Sequence, residues 1–337
     1  MHRSSFVGWT AAALQSLGLL RPVSVAAAWA RRSPAFLVLT YHRVNDEADP
    51  FFAAVPTKVF ERHMAFIART YRVMTIEDLA EHVQRGTVPR RALAITFDDG
   101  YQDNLTHAAP ILARHRLPAT IFLATGFIGT AEIPWFDRVA MAFKVTGTDA
   151  FAAPWGDVVA LTSQSDRLVA LDLTLKYLKR LPDEDLRRHV DMLLDALAVA
   201  NPDGAKNLML TWDDVRALAG LGFSIGAHTV SHPILSRVPP TRAWTEILDS
   251  RTMIQSACGY RPRAFAYPNG RPDDYTETVK HFVREAGFTC AVTTRFGVNT
   301  RHTSPWELRR GGPWESDLPT FALKLAAYRL LGQDEAA

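Results

Sequence analysis

The sequence predicts an α/β protein built on a parallel sheet. Short apolar runs of strand length alternate with longer stretches of helical period, the signature of successive βα units. Two of those runs stop abruptly in clusters of chemistry-bearing side chains, and the strand ends of parallel α/β folds are where ligands collect. A third observation is a change of pattern between 126 and 207, where long charged helical stretches replace the alternation, as expected of an insertion.

The elements follow in order. Met1 to Arg32 has an apolar centre, Ala11 to Leu20, interrupted by Gln15 and Ser16 and closed by Arg21-Pro22, which is too short and broken for a membrane span. A cleaved leader, with His2-Arg3 ahead of the apolar part and Ala-rich residues from Val25 to Ala30, is one reading. A helix lying on the protein or on a membrane surface is the other, and Arg31-Arg32 would suit anionic headgroups. A cytoplasmic or membrane-peripheral location is preferred to a periplasmic or secreted one. Strands are expected at Phe36 to Thr40, Ala92 to Phe97, Ala119 to Ala124, Ser224 to Gly226, Ala264 to Tyr267 and Cys290 to Thr293. Helices are expected between them. They are Pro56 to Thr70, Ile76 to Arg85, Asn104 to His115, Trp212 to Leu221, Thr241 to Ala257 and Asp274 to Ala286. The insertion should hold two more, Arg167 to Arg180 and Asp183 to Ala198. The main domain is thus assigned to 36–317, with a C-terminal helix and tail at 318–337. The alternation alone does not separate a barrel from an open sheet.

Composition narrows the classes. With 337 residues and 47% hydrophobic content the chain can bury a large core as one α/β domain. Its net charge is +3, and no long basic stretch is interleaved with aromatics, so nucleic acid is not an expected partner. Cys258 and Cys290 are the only cysteines, which excludes a disulfide framework and suits buried thiols.

The chemistry concentrates at two strand ends. Leu93 to Gly100 reads Leu-Ala-Ile-Thr-Phe-Asp-Asp-Gly, an apolar run that ends in adjacent carboxylates. Asp98 and Asp99 would repel each other at the mouth of a core, so a cation or a shared proton is expected beside them. His228 and His232, in Ile225-Gly-Ala-His-Thr-Val-Ser-His-Pro233, lie about one helical turn apart after another apolar stretch. Two histidines and one aspartate make a facial set for a divalent cation with room left for water. Asp-Asp-Gly alone is ordinary turn chemistry, and the histidine pair alone could be a capped helix start. Their joint occurrence at strand ends favours the site.

These residues resemble the polysaccharide deacetylases, the family 4 carbohydrate esterases with a NodB-type domain. The first family motif stands here as Thr96-Phe-Asp-Asp-Gly100 and the second as His228-Thr-Val-Ser-His232-Pro233. Further matches are Leu39-Thr-Tyr-His-Arg-Val44, Ala119-Thr-Ile-Phe-Leu123 and Phe265-Ala-Tyr-Pro-Asn-Gly270, so the resemblance spans Phe36 to Pro313. It implies a distorted (β/α) barrel with fewer than eight regular strands. It also implies that Asp99, His228 and His232 bind one divalent metal ion, zinc, with cobalt, nickel, iron and manganese as alternatives. Asp98 is then the base for the attacking water, and the substrate is an N-acetylated glycan or glycolipid.

Amide hydrolysis explains why such a set is needed. An acetamide carbonyl is a poor electrophile, and a divalent cation polarises it while lowering the pKa of water towards about 7. Adjacent strand residues face opposite ways, so both carboxylates enter one site only where the strand breaks, and Gly100 is expected to permit that break.

The chain also departs from the family pattern. The late Leu-x-His motif that usually supplies the acid is absent after Gly270, where only His281 and His302 remain. His42, in Thr40-Tyr-His-Arg43, resembles the early Tyr-His motif of poly-N-acetylglucosamine deacetylases and is assigned as the acid, against the plainer reading of a histidine capping the first strand. The family's third motif begins with an arginine that orients the catalytic aspartate, and here it reads Ala266-Tyr-Pro-Asn-Gly270. Arg310 is expected to replace that arginine, with Arg309 as rival and a solvated surface pair as the alternative. Tyr267 and Asn269 are expected to meet the substrate, with backbone N–H groups around Asn269 serving an oxyanion. Trp135, in Pro134-Trp-Phe-Asp-Arg138, is the candidate sugar-stacking ring, although a core role for these aromatics, and for Trp155, is the favoured reading. Deformylation, or hydrolysis of another non-peptide amide on a lipid-linked sugar or small molecule, would use the same set. An inactive carbohydrate-binding module is the other alternative, although such a module should have lost a metal or base residue.

Overall fold

The computed structural model describes residues 35–199, 208–312 and 315–331. The expected N-terminal segment and the residues after 331 lie outside the described residues.

Strand β1 (Ala35–Tyr41) is buried along its length. Helix α1 (Thr57–Thr70) follows and buries Phe60, Met64 and Ile67, an i, i+4, i+7 stripe. A two-residue strand, β2 (Arg72–Val73), leads to α2 (Ile76–Gln84), whose first turn is capped by Thr75 accepting from the Asp78 amide. Strand β3 (Ala92–Phe97) is again wholly buried. The single helix expected at Asn104 to His115 is a π-helical turn, Asn104–Ala108, running into α3 (Ala109–Arg114). Pro110 has no N–H for a continuous α-helical ladder there, which accounts for the wider turn. Strand β4 (Thr120–Leu123) ends at the insertion.

The insertion contains α4 (Trp135–Val145), a hairpin of β5 (Ala150–Ala152) and β6 (Val158–Ala160), α5 (Gln164–Leu178) and α6 (Asp183–Ala196). It has its own apolar core, which includes Trp135, Val139, Phe143, Leu171 and Val190 and which Phe52 joins from the β1–α1 loop. The main domain resumes with α7 (Trp212–Gly220), opened by a reciprocal capping box between Thr211 and Asp214. Then come β7 (Ser224–Ala227), α8 (Pro240–Cys258), β8 (Ala264–Ala266), α9 (Glu277–Glu285), β9 (Cys290–Val292), β10 (Asn299–Thr300) and α10 (Leu318–Leu331).

The large sheet runs β10-β1-β3-β4-β7-β8-β9, with β2 beside the first residues of β3. Its strands are parallel except β10, which is antiparallel to β1. Alternation along the strands sorts two cores. Leu37, Leu39, Leu93 and Ile95 face the outer layer formed by α1, α3 and α7 to α9. Phe36, Val38, Ala92, Ala94 and Phe122 face inward with side chains of α2. The interior is tight: a Cβ at Gly226 would lie 2.4 Å from the Phe122 ring, so β7 needs glycine there.

The sheet curls into a half-barrel, and an irregular stretch fills the seam between β9 and β1. Leu308 exchanges bonds with β9, its N–H donating to Ala291 O (3.0 Å) and its carbonyl accepting from Thr293 N (2.8 Å). Gly311 N donates to Val38 O of β1 at 3.1 Å. This seam carries Arg309 and Arg310. Both cysteines are free thiols, Cys290 buried and Cys258 half-buried. Among the described residues no helix is long and apolar enough to cross a membrane.

Candidate active site

The strand ends of β1, β3, β7, β8 and β9 surround one cavity of about 460 Å³, and helices of the insertion wall its side. Of the residues expected there, it is lined by His42, Asp98, Asp99, His228, His232 and Asn269.

Asp98 continues the inward face of β3, two residues beyond Thr96, and its amide is fixed by Tyr41 O at 3.0 Å. The chain then turns at Asp99, which takes φ 73°, and Gly100 follows at φ 87°. The break expected at Gly100 therefore begins one residue earlier, at an aspartate, a residue type that tolerates the left-handed region better than most. Thr229, His232 and Asn269 also have φ between 54° and 68°, so backbone strain gathers around the cavity.

Arg310 reaches Asp98 from the seam. Its Nη1 and Nη2 donate to Oδ1 and Oδ2 at 2.7 Å each, its Nε donates to Thr293 O at 2.9 Å, and its guanidinium lies over Phe122 at 5.6 Å. Burial alone would raise the Asp98 pKa, but the charge of Arg310, helped by His228, holds it well below the usual carboxylate range. Arg309 faces the other way and is half-buried, its backbone N–H donating to Asn299 Oδ1 at 2.8 Å.

Asp99 meets both histidines. His228 Nε2 lies 3.6 Å and His232 Nε2 3.4 Å from Asp99 Oδ1, and one donor atom from each of the three residues falls within 4.8 Å of the others. His228 Nδ1 pairs with Ala266 O at 2.7 Å, which assigns it the proton and leaves Nε2 as a lone-pair donor. Asp99 Oδ1 is buried without a hydrogen-bond partner, and burial together with the Asp98 charge pushes its pKa well up. Burial holds His228 at about 4 and His232 well below its ordinary value, so both rings are neutral near pH 7. Two neutral imidazoles facing an unsatisfied carboxylate fit a divalent cation.

The loop carrying the histidines is held by a residue that the sequence reading missed. Glu246 of α8 accepts from Val230 N (2.9 Å), Ser231 N (2.8 Å) and Ser231 Oγ (2.6 Å). From the insertion, Arg187 donates to Ser231 Oγ at 3.0 Å and to Asp183 at 2.7 Å, and Asp183 also receives Arg242 of α8 at 2.6 Å. Nothing in the helical period of α8 marks Glu246, since its role depends on a loop 15 residues away in sequence.

His42 follows β1 directly. Its carbonyl accepts from Asn104 Nδ2 at 2.8 Å, and its Nε2 lies 4.0 Å from Asp98 Oδ2. The ring is half exposed to the cavity. Burial of its inner side lowers its pKa, partly offset by the Asp98 charge.

Two expected substrate contacts are corrected. Tyr267 is fully buried, its ring stacked on Tyr275 at 4.3 Å and its N–H committed to Val292 O at 3.2 Å, so neither its side chain nor its amide faces the cavity. Asn269 is left as the donor of that loop: its backbone N–H has no partner among the described residues, and its buried Nδ2 is also unpaired. Trp135 packs into the insertion core, whereas Phe136, one residue on, lines the cavity and meets the His232 ring edge-on at 5.0 Å. One helical position turns a side chain by about 100°, which a sequence motif does not resolve. Phe51, Asp137, Lys179 and Arg271 also line the wall and are not among the expected site residues.

Comparison with known proteins places this geometry in a family. A family model described as polysaccharide deacetylase matches residues 85–291. The Bacillus subtilis protein YxkH, named for the same family, is 23% identical over 287 residues, 84% of this chain and 74% of that one. The Escherichia coli poly-beta-1,6-N-acetyl-D-glucosamine N-deacetylase is 34% identical over 87 residues, 25% of this chain and only 13% of the longer enzyme. Among solved structures, the Streptococcus pyogenes deacetylase PplD superposes with a TM-score of 0.60 at 18% identity, covering 87% of this chain and 99% of that one, a likeness of fold.

Proposed function

The chain belongs to the polysaccharide deacetylase family, hydrolases of non-peptide carbon–nitrogen bonds, and we propose that it removes an N-acetyl group from an N-acetylglucosamine-type sugar in a glycan or glycolipid. The observation that carries this reading is the unsatisfied Asp99 carboxylate facing two neutral histidines, beside a second aspartate locked by Arg310. A divalent cation, zinc in this reading, would be held by Asp99, His228 and His232, and when bound supplies Lewis acidity to the acetamide carbonyl and acidity to water.

The chain's own residues do the rest. Asp98, kept ionised by Arg310, accepts the proton of the attacking water. Arg310 fixes both carboxylate oxygens, so the base keeps one orientation. The unpaired backbone N–H of Asn269, on the cavity wall, serves the oxygen on which negative charge develops. His42, at the cavity mouth with Nε2 4.0 Å from Asp98, takes over the proton that Asp98 removed from water and delivers it to the leaving nitrogen, which returns both groups to their starting state. Phe51 and Phe136 offer apolar faces for a sugar ring. The basic pair Arg31-Arg32 supports a membrane-peripheral location, which fractionation of the full-length protein tests.

The deciding experiment is product analysis. Zinc-loaded protein is incubated with β-1,6-linked N-acetylglucosamine oligomers and with N-acetylated and N-formylated lipid-linked amino sugars. Acetate release is expected. Formate release alone would make the enzyme a deformylase, and sugar binding without release would make it a binding module.

A further inference from the structure

Asp137 lies in the first turn of α4, lines the cavity and is 95% buried, yet it is neither a metal-set residue nor a structural ion pair. One carboxylate oxygen, Oδ2, accepts from Tyr101 OH at 2.9 Å. The other, Oδ1, has no hydrogen-bond partner among the described residues and is not among the enclosed unsatisfied atoms, which leaves it open to the cavity. The nearby cation, Arg43, is committed to Asp103 at 2.9 Å.

An uncompensated carboxylate at this depth is costly to the fold. Burial raises its pKa to about 7, with Tyr101 and Arg43 only partly countering. Asparagine would fill the same volume and keep an acceptor for Tyr101 without the buried charge. A structural role therefore gives no reason for the acid. A binding role does, because a carboxylate oxygen held rigidly by a tyrosine is a strong acceptor for a donor arriving from the cavity.

We propose that Asp137, oriented by Tyr101, is a sugar-recognition residue that accepts a hydrogen bond from a ring hydroxyl of the saccharide whose N-acyl group sits at the Asp99, His228 and His232 set. The inference rests on the deacetylase reading and adds the part of the insertion that selects the sugar. Asp137 and Phe136 are adjacent on α4, so one turn of helix supplies both an apolar face for the ring and a polar contact for its edge. Lys179 extends the same wall from the end of α5.

The test compares wild type with Asp137→Asn and Asp137→Ala. Binding of β-1,6-linked N-acetylglucosamine oligomers is followed by calorimetry, acetate release is measured in parallel, and melting is recorded without sugar. At a pH above about 8, where Asp137 is ionised, Asp137→Asn should weaken sugar affinity and raise KM about 10- to 100-fold, the range of a hydrogen bond to a charged group. Its kcat should fall much less, and its melting temperature should equal or exceed that of wild type. A series of monodeoxy N-acetylglucosaminides should contain one member that loses the same factor with wild type and no further factor with Asp137→Asn. Unchanged affinity for the oligomers, or no selective deoxy position, would overturn the inference; so would a mutant that merely melts earlier. Sugar binding that depends on Asp137 without acetate release would instead count against the deacetylase reading and leave the recognition role standing.

Discussion

Arg310 and Asp98 lie 212 residues apart in sequence and meet through two parallel hydrogen bonds of 2.7 Å inside the barrel. The guanidinium arrives on the seam that closes the sheet, so closing the fold and ionising the proposed base are one structural event. Removing it should show in the pH profile. Burial of Asp98 persists in Arg310→Lys, but the two-pronged contact is lost, so the pKa of Asp98 should rise. A base works only when deprotonated. The acid limb of kcat/KM should therefore move to higher pH and maximal kcat should fall about tenfold or more, with metal content unchanged. Arg310→Ala leaves a buried charge unpaired and should cost about 3–5 kcal/mol of stability.

Much of this site is legible in the sequence because strand burial is legible. Runs such as Ala92 to Phe97 are apolar on both faces, so their ends stand out, and the polar residues placed there are conspicuous. Arg310 is the expected partner of Asp98, with Arg309 as its rival, but the sequence does not show which of the two points inward. The structure separates them because Leu308 and Arg310 share the inward face of the seam while Arg309 faces out, an alternation that looks like strand only once its partners, β9 and β1, are known. Strands of two or three residues, such as β2 and β10, carry no periodicity to detect. Glu246 and Asp137 were missed for a different reason. Each acts on a partner set by tertiary packing, and nothing local distinguishes an acid on a helix face from one that holds the histidine loop or lines a cavity.

Glu246 should control metal affinity without touching the metal. It holds the Val230 and Ser231 amides between the two histidines, at a loop whose Thr229 and His232 have positive φ. Glu246→Ala should weaken zinc binding about tenfold in a chelator competition, by analogy with the loss of groups that orient ligands. Glu246→Gln keeps an acceptor oxygen for those amides and should restore most of the affinity. Equal zinc affinity in all three proteins would remove the residue from this role.

Acid stability should depend on His63. This ring is fully buried in α1, stacked on Phe321 of α10 at 3.6 Å, and burial lowers its pKa to about 4 from 6.5. The unfolded chain therefore binds more protons between those values. The contribution to stability is complete above about pH 6.5 and is lost as pH falls towards 4, by an amount on the order of 3 kcal/mol. The fall in melting temperature across that window should be smaller for His63→Phe, which keeps a ring against Phe321 and cannot take up a proton, while His228 and His232 keep the remainder. A wild-type slope retained in the mutant would assign the effect to other groups.

The division of labour between Asp98 and Asp99 is tested most directly by measuring bound zinc and acetate release together in Asp98→Asn and Asp99→Ala. Asp98→Asn should keep wild-type zinc and lose turnover by at least about 100-fold. Asp99→Ala should lose zinc affinity first and turnover with it. Equal zinc content in the two mutants, or near-normal turnover in Asp98→Asn, would contradict the account.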